Sequence, residues 1–107
     1  MPHTLPTLPY DFAALDPHID AQTMQIHHTK HHQAYVDKLN TALEGNVKLQ
    51  NNSVEKLIGN LNKIPEQIRQ AIGNNGGGHL NHSFFWKLLK KDVKPSGKVL
   101  EAITKKF

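Results

Sequence analysis

The sequence predicts an all-α fold: a long antiparallel helical hairpin, a shorter histidine-bearing helix, a C-terminal helix, and an extended proline-rich N-terminal arm. Three observations predict it. Residues 20–44 contain neither proline nor glycine, and their apolar side chains recur at roughly helical spacing. No stretch alternates apolar and polar residues as a half-buried strand does. Proline and glycine fall between the periodic stretches, where helices start and stop.

Each element follows in order. Pro2, Pro6, Pro9 and Pro17 forbid a long helix before residue 19 and favour an extended arm. Leu5, Leu8, Tyr10, Phe12 and Leu15 give that arm apolar anchors. Asp20 is a suitable N-cap for the first long helix, whose apolar positions are Met24, Ile26, Tyr35, Val36, Leu39 and Leu43. Gly45 is its stop, and residues 46–52 read as a loop. Ser53 caps a second stretch with Val54, Leu57, Ile58 and Leu61, and the two stretches pair as the antiparallel hairpin. Pro65 opens a short helix through Ile72. The run Asn74-Asn75-Gly76-Gly77-Gly78 reads as a place where the backbone bends or approaches a neighbour closely. Residues 79–90 are helical again, Pro95 and Gly97 interrupt, and residues 98–107 form an amphipathic helix with Val99, Leu100, Ile103 and Phe107. Residues 1–107 make one domain.

Composition narrows the function. Cysteine is absent, which excludes disulfide scaffolds, thiolate metal sites and cysteine nucleophiles. The net charge of +4 suits an anionic partner without specifying one. Seven lysines crowd residues 87–106, but no nucleic-acid-binding motif accompanies them, so nucleic acid is not an expected partner. The N-terminus lacks the basic region and apolar core of a secretory signal, and no apolar run reaches the ~18 residues of a membrane span. The expectation is a cytoplasmic protein with no membrane partner.

Histidine is the unusual residue: eight in 107, six of them in two clusters. In the first, His27-His28-Thr29-Lys30-His31-His32, helical spacing puts His27 and His31 on one face with Tyr35 one turn on, and His28 with His32 about 100° away. This is either a solvated histidine face or one metal ligand with a histidine and a tyrosine beside it as hydrogen-bonding partners. In the second, Gly76-Gly77-Gly78-His79-Leu80-Asn81-His82-Ser83-Phe84-Phe85-Trp86, His79 and His82 share a face and Trp86 follows one turn later. That segment is either an ordinary aromatic core helix or a second ligand walled off from water. Two helices bringing histidines to an inner face is how bundles build metal sites. A redox metal wants four or more ligands, often with a carboxylate, and no Asp or Glu has a spacing that marks it as one.

Leu8-Pro9-Tyr10, Leu15-Asp16-Pro17-His18, Met24-Gln25-Ile26 running through His32 to Tyr35, and Asn75 through Trp86 resemble, in order, the iron/manganese superoxide dismutases. The resemblance implies an N-terminal helical-hairpin domain in which His27 and His82 are metal ligands. It implies that His31 and Tyr35 are the proton-relaying pair at the substrate channel, and that Trp86 belongs to an aromatic wall. Lys30 adds positive charge near the entrance. Gly78 stands where iron-type members tend to carry glutamine, which favours manganese over iron as cofactor. The implied reaction converts superoxide to oxygen and hydrogen peroxide as the metal alternates between trivalent and divalent states. The family's second half supplies an aspartate and a third histidine from an Asp-x-Trp-Glu-His motif, which is missing here. The expected partners are therefore superoxide, a C-terminal domain and further copies of the chain. The alternative is a non-enzymatic, histidine-rich, self-associating helical domain that shares a metal between two copies.

Overall fold

A computed structural model describes residues 2–107, and the description below refers to those. They contain helices and loops and no strand. After a 3₁₀ turn at Phe12–Leu15 come α1 (Ala21–Ile26), a π-helical segment (His27–His32) and α2 (Gln33–Ala42), which run on without a break. The short α3 (Val47–Gln50) and α4 (Val54–Gly59) follow, then a 3₁₀ turn at Leu61–Lys63. The longest element is α5 (Glu66–Leu88), and α6 (Gly97–Lys106) ends the chain.

The start and stop signals act as expected. The Asp20 carboxylate accepts from the Thr23 backbone N–H at 2.7 Å, and the Ser53 hydroxyl accepts from that of Lys56 at 3.2 Å. Gly45 takes the left-handed conformation, φ 81°, just past the end of α2.

Two expectations change. The glycine run does not bend: it lies within α5, so the short helix expected at 65–72 and the helix expected at 79–90 are one 23-residue rod. Pro65 is its N-cap rather than its first residue. The hairpin partner of the first helix is α5, not α4. His27 lies opposite His82, His32 opposite His79, and Leu39 beside Gly76, so the two chains run antiparallel. Three glycines cost a helix roughly 1 kcal/mol each relative to alanine. Two of them sit at close approaches, and the one at Gly78 excludes a side chain. A Cβ on Gly76 would come within 3.0 Å of Ile58 Cδ1, and one on Gly78 would sit 2.6 Å from Cγ of Tyr35, inside the ring's van der Waals surface.

The core has two parts. Leu39, Leu43, Val54, Leu57, Ile64 and Ile72 form the first, where α2, α4 and α5 meet. Leu15, Met24 and Trp86 form the second, with Leu8, Tyr10, Phe12, Ile19 and Leu89 packed against it. The arm is thus stapled across the hairpin. Asn40 closes a two-bond clamp on the backbone of His3 at 3.1 and 2.8 Å, and the Tyr10 hydroxyl donates to the Trp86 carbonyl at 2.8 Å. α6 buries none of its residues.

The glycines separate two effects. Gly77 has open space where its Cβ would go. Gly77→Ala is expected to stabilise the fold by ~0.5–1 kcal/mol through helix propensity. Gly78→Ala is expected to destabilise it by ~1–3 kcal/mol, because the Tyr35 ring must move. Urea denaturation followed by circular dichroism checks both signs.

Candidate metal centre

The first helix keeps one face turned inwards along its length, and its buried residues show how. Met24, His28, His32 and Val36 are buried at successive four-residue intervals. In a regular α-helix each such step turns the stripe by about 40°. The π-helical segment, with its wider turn, spans His27–His32 and absorbs that rotation. His27 and His31 thereby face α5 from the same patch, their ring centroids 5.4 Å apart.

His82 arrives from α5. Its Nδ1 lies 2.7 Å from the Gly78 carbonyl, an acceptor, so Nδ1 carries the proton and Nε2 keeps its lone pair. That lone pair points at His27 Nε2, 3.1 Å away. Two imidazole lone pairs at that distance repel unless a proton or a cation lies between them. Donor atoms of His27, His31 and His82 all fall within 4.8 Å of one another, and no carboxylate joins them among the described residues. The His27 pKa is lowered, first by burial and then by His82 and His31, which keeps its nitrogen available as a ligand.

Around these donors the other residues expected at the site take definite places. The half-buried Tyr35 ring lies 5.2 Å from that of His31 and 5.3 Å from that of His82, over Gly78. His31, Ala34, Tyr35 and Lys38 line a shallow depression of about 180 Å³. Trp86 is buried with its ring 4.9 Å from that of His27, and Phe85 stands at 6.0 Å. A second depression, about 290 Å³, opens over His27, Asn81, His82 and Phe85. Lys30 is exposed and outside the hydrogen-bonded network.

Sequence spacing did not reveal the hydrogen-bonded chain behind the site. Trp86 Nε1–H, which can only donate, gives its hydrogen to His32 Nδ1 at 2.9 Å. Neutral His32 must then carry its proton on Nε2, and it donates to His79 Nδ1 at 2.8 Å. Burial, followed by the neighbouring His79, His82 and His28, pushes the His32 pKa down to about 3. Protonation would also set a second N–H against that of Trp86. His28 turns the other way and donates from Nε2 to the Pro6 carbonyl at 2.7 Å, holding the arm. The signal was present: His32 and His79 flank the two ligand candidates, but helical spacing alone could not tell which histidines meet each other.

Residues 2–90 match the family model described as iron/manganese superoxide dismutases, alpha-hairpin domain. The chain is 54% identical over 105 residues to a Pseudomonas putida protein named superoxide dismutase (Mn), in an alignment covering 96% of this chain and 51% of that protein. The chain spans about half the length of that relative.

The depressed histidines set a pH dependence. His3, His27, His32 and His79 all have folded pKa values below the usual 6.5, each chiefly through burial. The unfolded chain binds these protons more readily, so the stabilisation is complete above pH ~6.5 and is lost as pH falls towards the folded values. For His32 the loss is expected to approach about 1.4 kcal/mol per pH unit in this window. Urea midpoints measured from pH 7.5 to 4.5 should therefore fall steadily, and a flat profile would contradict the buried neutral network.

Proposed function

We propose, from the premise that the chain belongs to the iron/manganese superoxide dismutase family as its alpha-hairpin domain, that it is the half of such an enzyme that presents two imidazole ligands and the proton-relaying pair. The observation that carries this reading is the facing pair of Nε2 atoms 3.1 Å apart, one of them fixed in its ligating tautomer by the Gly78 carbonyl. With an aspartate added from the second half, these imidazoles would hold manganese or iron, manganese being favoured by the relative's printed name and by Gly78 at its position beneath Tyr35.

When bound, the metal supplies one-electron chemistry, oxidising one superoxide to oxygen and reducing the next, with two protons, to hydrogen peroxide. The chain's own residues do the rest. His27 and His82 hold the metal from the hairpin side. Trp86, buried against His27, excludes water from that flank and keeps the local dielectric low. Tyr35 Oη and His31, ring to ring at 5.2 Å, hold exchangeable protons at the mouth of the depression they share. The net charge of +4, with Lys30 exposed beside His31, draws in an anion. The aspartate and third histidine come from a C-terminal α/β domain that packs over Ile26, His27 and Phe85, and the assembled protein is a homo-oligomer acting in the cytoplasm.

A second reading has its own observation. Ile26 and Phe85 are exposed beside His27. Apolar surface of this kind drives association, so the chain alone is also suited to be a self-associating metal-binding domain.

Complementation separates the two. The chain, refolded with manganese and the C-terminal half of the Pseudomonas putida relative, is expected to dismutate superoxide, and His82→Gln is expected to lose at least 100-fold of that activity. A reconstituted complex that takes up manganese but shows no activity would favour the second reading.

A further inference from the structure

Away from the histidines, a pit of about 140 Å³ opens where α3, α4 and the 3₁₀ turn at Leu61–Lys63 come together. Leu49, Leu57 and Ile64 make its apolar wall. Leu57 and Ile64 are buried members of the larger core cluster and Leu49 packs against it, so the pit reaches the core itself. The exposed Lys56 and Lys63 line it too, with the half-buried Asn52 as an amide donor. Asn60, also at the pit, donates from Nδ2 to the Lys56 carbonyl at 2.9 Å. A third cation stands close by: Arg69 donates to the Ile64 carbonyl from Nε at 3.1 Å and from Nη2 at 2.8 Å. No carboxylate lines the pit, although Glu55 and Glu66 are near along the chain. Ile64 stands just before α5 and His82 towards its far end. At ~1.5 Å per residue the pit is roughly 25 Å from the metal centre.

We propose that this pit binds a small monocarboxylate with a compact apolar body, an acid of the benzoate kind. Size sets the body: an apolar cavity of ~150 Å³ admits a molecule as large as benzene. The ring sits on Leu49, Leu57 and Ile64 and takes their apolar surface out of water. Charge sets the head group. Two lysines and no carboxylate attract an anion and repel a cation, and the Asn52 amide donates to a carboxylate oxygen. The carboxylate stays at the exposed lysines, so it keeps part of its hydration and its desolvation cost is small. An anion without the body gains only a screened surface attraction, and the body without the anion leaves the lysines unused. Because the pit lies at the opposite end of α5 from the histidines, the proposal is independent of the metal reading and of what packs on the histidine face.

The test is titration of the full 107-residue chain with sodium benzoate at fixed ionic strength, followed by backbone amide NMR. Acetate, benzyl alcohol and benzylammonium serve as comparisons: the charge without the body, the body without the charge, and the body with the opposite charge. Expected are saturable shifts centred on residues 49–64, with a Kd on the order of 1 mM for so small a ligand. Each comparison compound should bind at least tenfold more weakly. The double variant Lys56→Gln, Lys63→Gln changes two exposed positions, so it should keep the helical spectrum and lose at least tenfold in benzoate affinity. Lys90→Gln with Lys94→Gln, exposed lysines beyond α5, should bind as the parent does. Benzyl alcohol binding as well as benzoate would overturn the proposal, since the lysines would then play no part. Shifts of equal size across residues 87–106 would overturn it as well, because they mean general attraction to a basic chain. Unchanged affinity in the Lys56, Lys63 variant would do the same.

Discussion

The structure hangs on the close antiparallel contact between the first long helix and α5. That contact is fastened in its interior by polar groups rather than by aliphatic packing alone. The run from Trp86 through His32 to His79 crosses between the helices twice, with each donor and acceptor assigned by the one before it. A buried polar group without a partner is costly, so an array of this kind admits one register only. Sliding either helix by a turn would leave a tryptophan N–H and two imidazoles unpaired in the core. The register that satisfies them is the one that sets His27 against His82, so that pair is positioned by groups outside it.

The same contact explains two irregularities of backbone. Helices that approach this closely need surfaces without side chains, and Gly76 and Gly78 provide them under Leu39, Ile58 and Tyr35. The first helix needs one face turned inwards for more than four turns, and the π-helical segment keeps it there. Both features lie within the two histidine clusters. Each lowers the intrinsic stability of its helix, and each is retained where tertiary packing repays it at the site.

Much of this was legible in the sequence. The all-α class, the caps at Asp20 and Ser53, the stop at Gly45 and the stapled arm all rest on local signals that tertiary structure left in place. The convergence of His27, His31 and His82 followed from helical spacing together with the resemblance. The glycine run was illegible because propensity counts what glycine costs a helix and not what a neighbouring ring gains by its absence. Pairing of the first helix with α5 rather than α4 was illegible for a related reason: with the run taken as a bend, α5 did not exist as one long element. The π-helical segment leaves no mark in a pattern whose buried positions merely drift by 40° per step.

Seven of the eight histidines divide by what they touch. His28, His32 and His79 are buried and turned towards backbone, tryptophan or one another, and His3 is clamped through its backbone by Asn40. Burial holds His3, His32 and His79 below the ordinary histidine pKa. His27, His31 and His82 turn towards a common point that no carboxylate joins among the described residues. A donor set of three neutral imidazoles carries no charge to offset a trivalent ion, and oxygen ligands are what distinguish manganese or iron from zinc. On the proposed reading the hairpin would fix where a metal sits, while oxygen donors brought to the face between Ile26 and Phe85 would choose it. The three-histidine cluster itself is preorganised by the buried hydrogen bonds behind it, from Trp86 through His32 to His79.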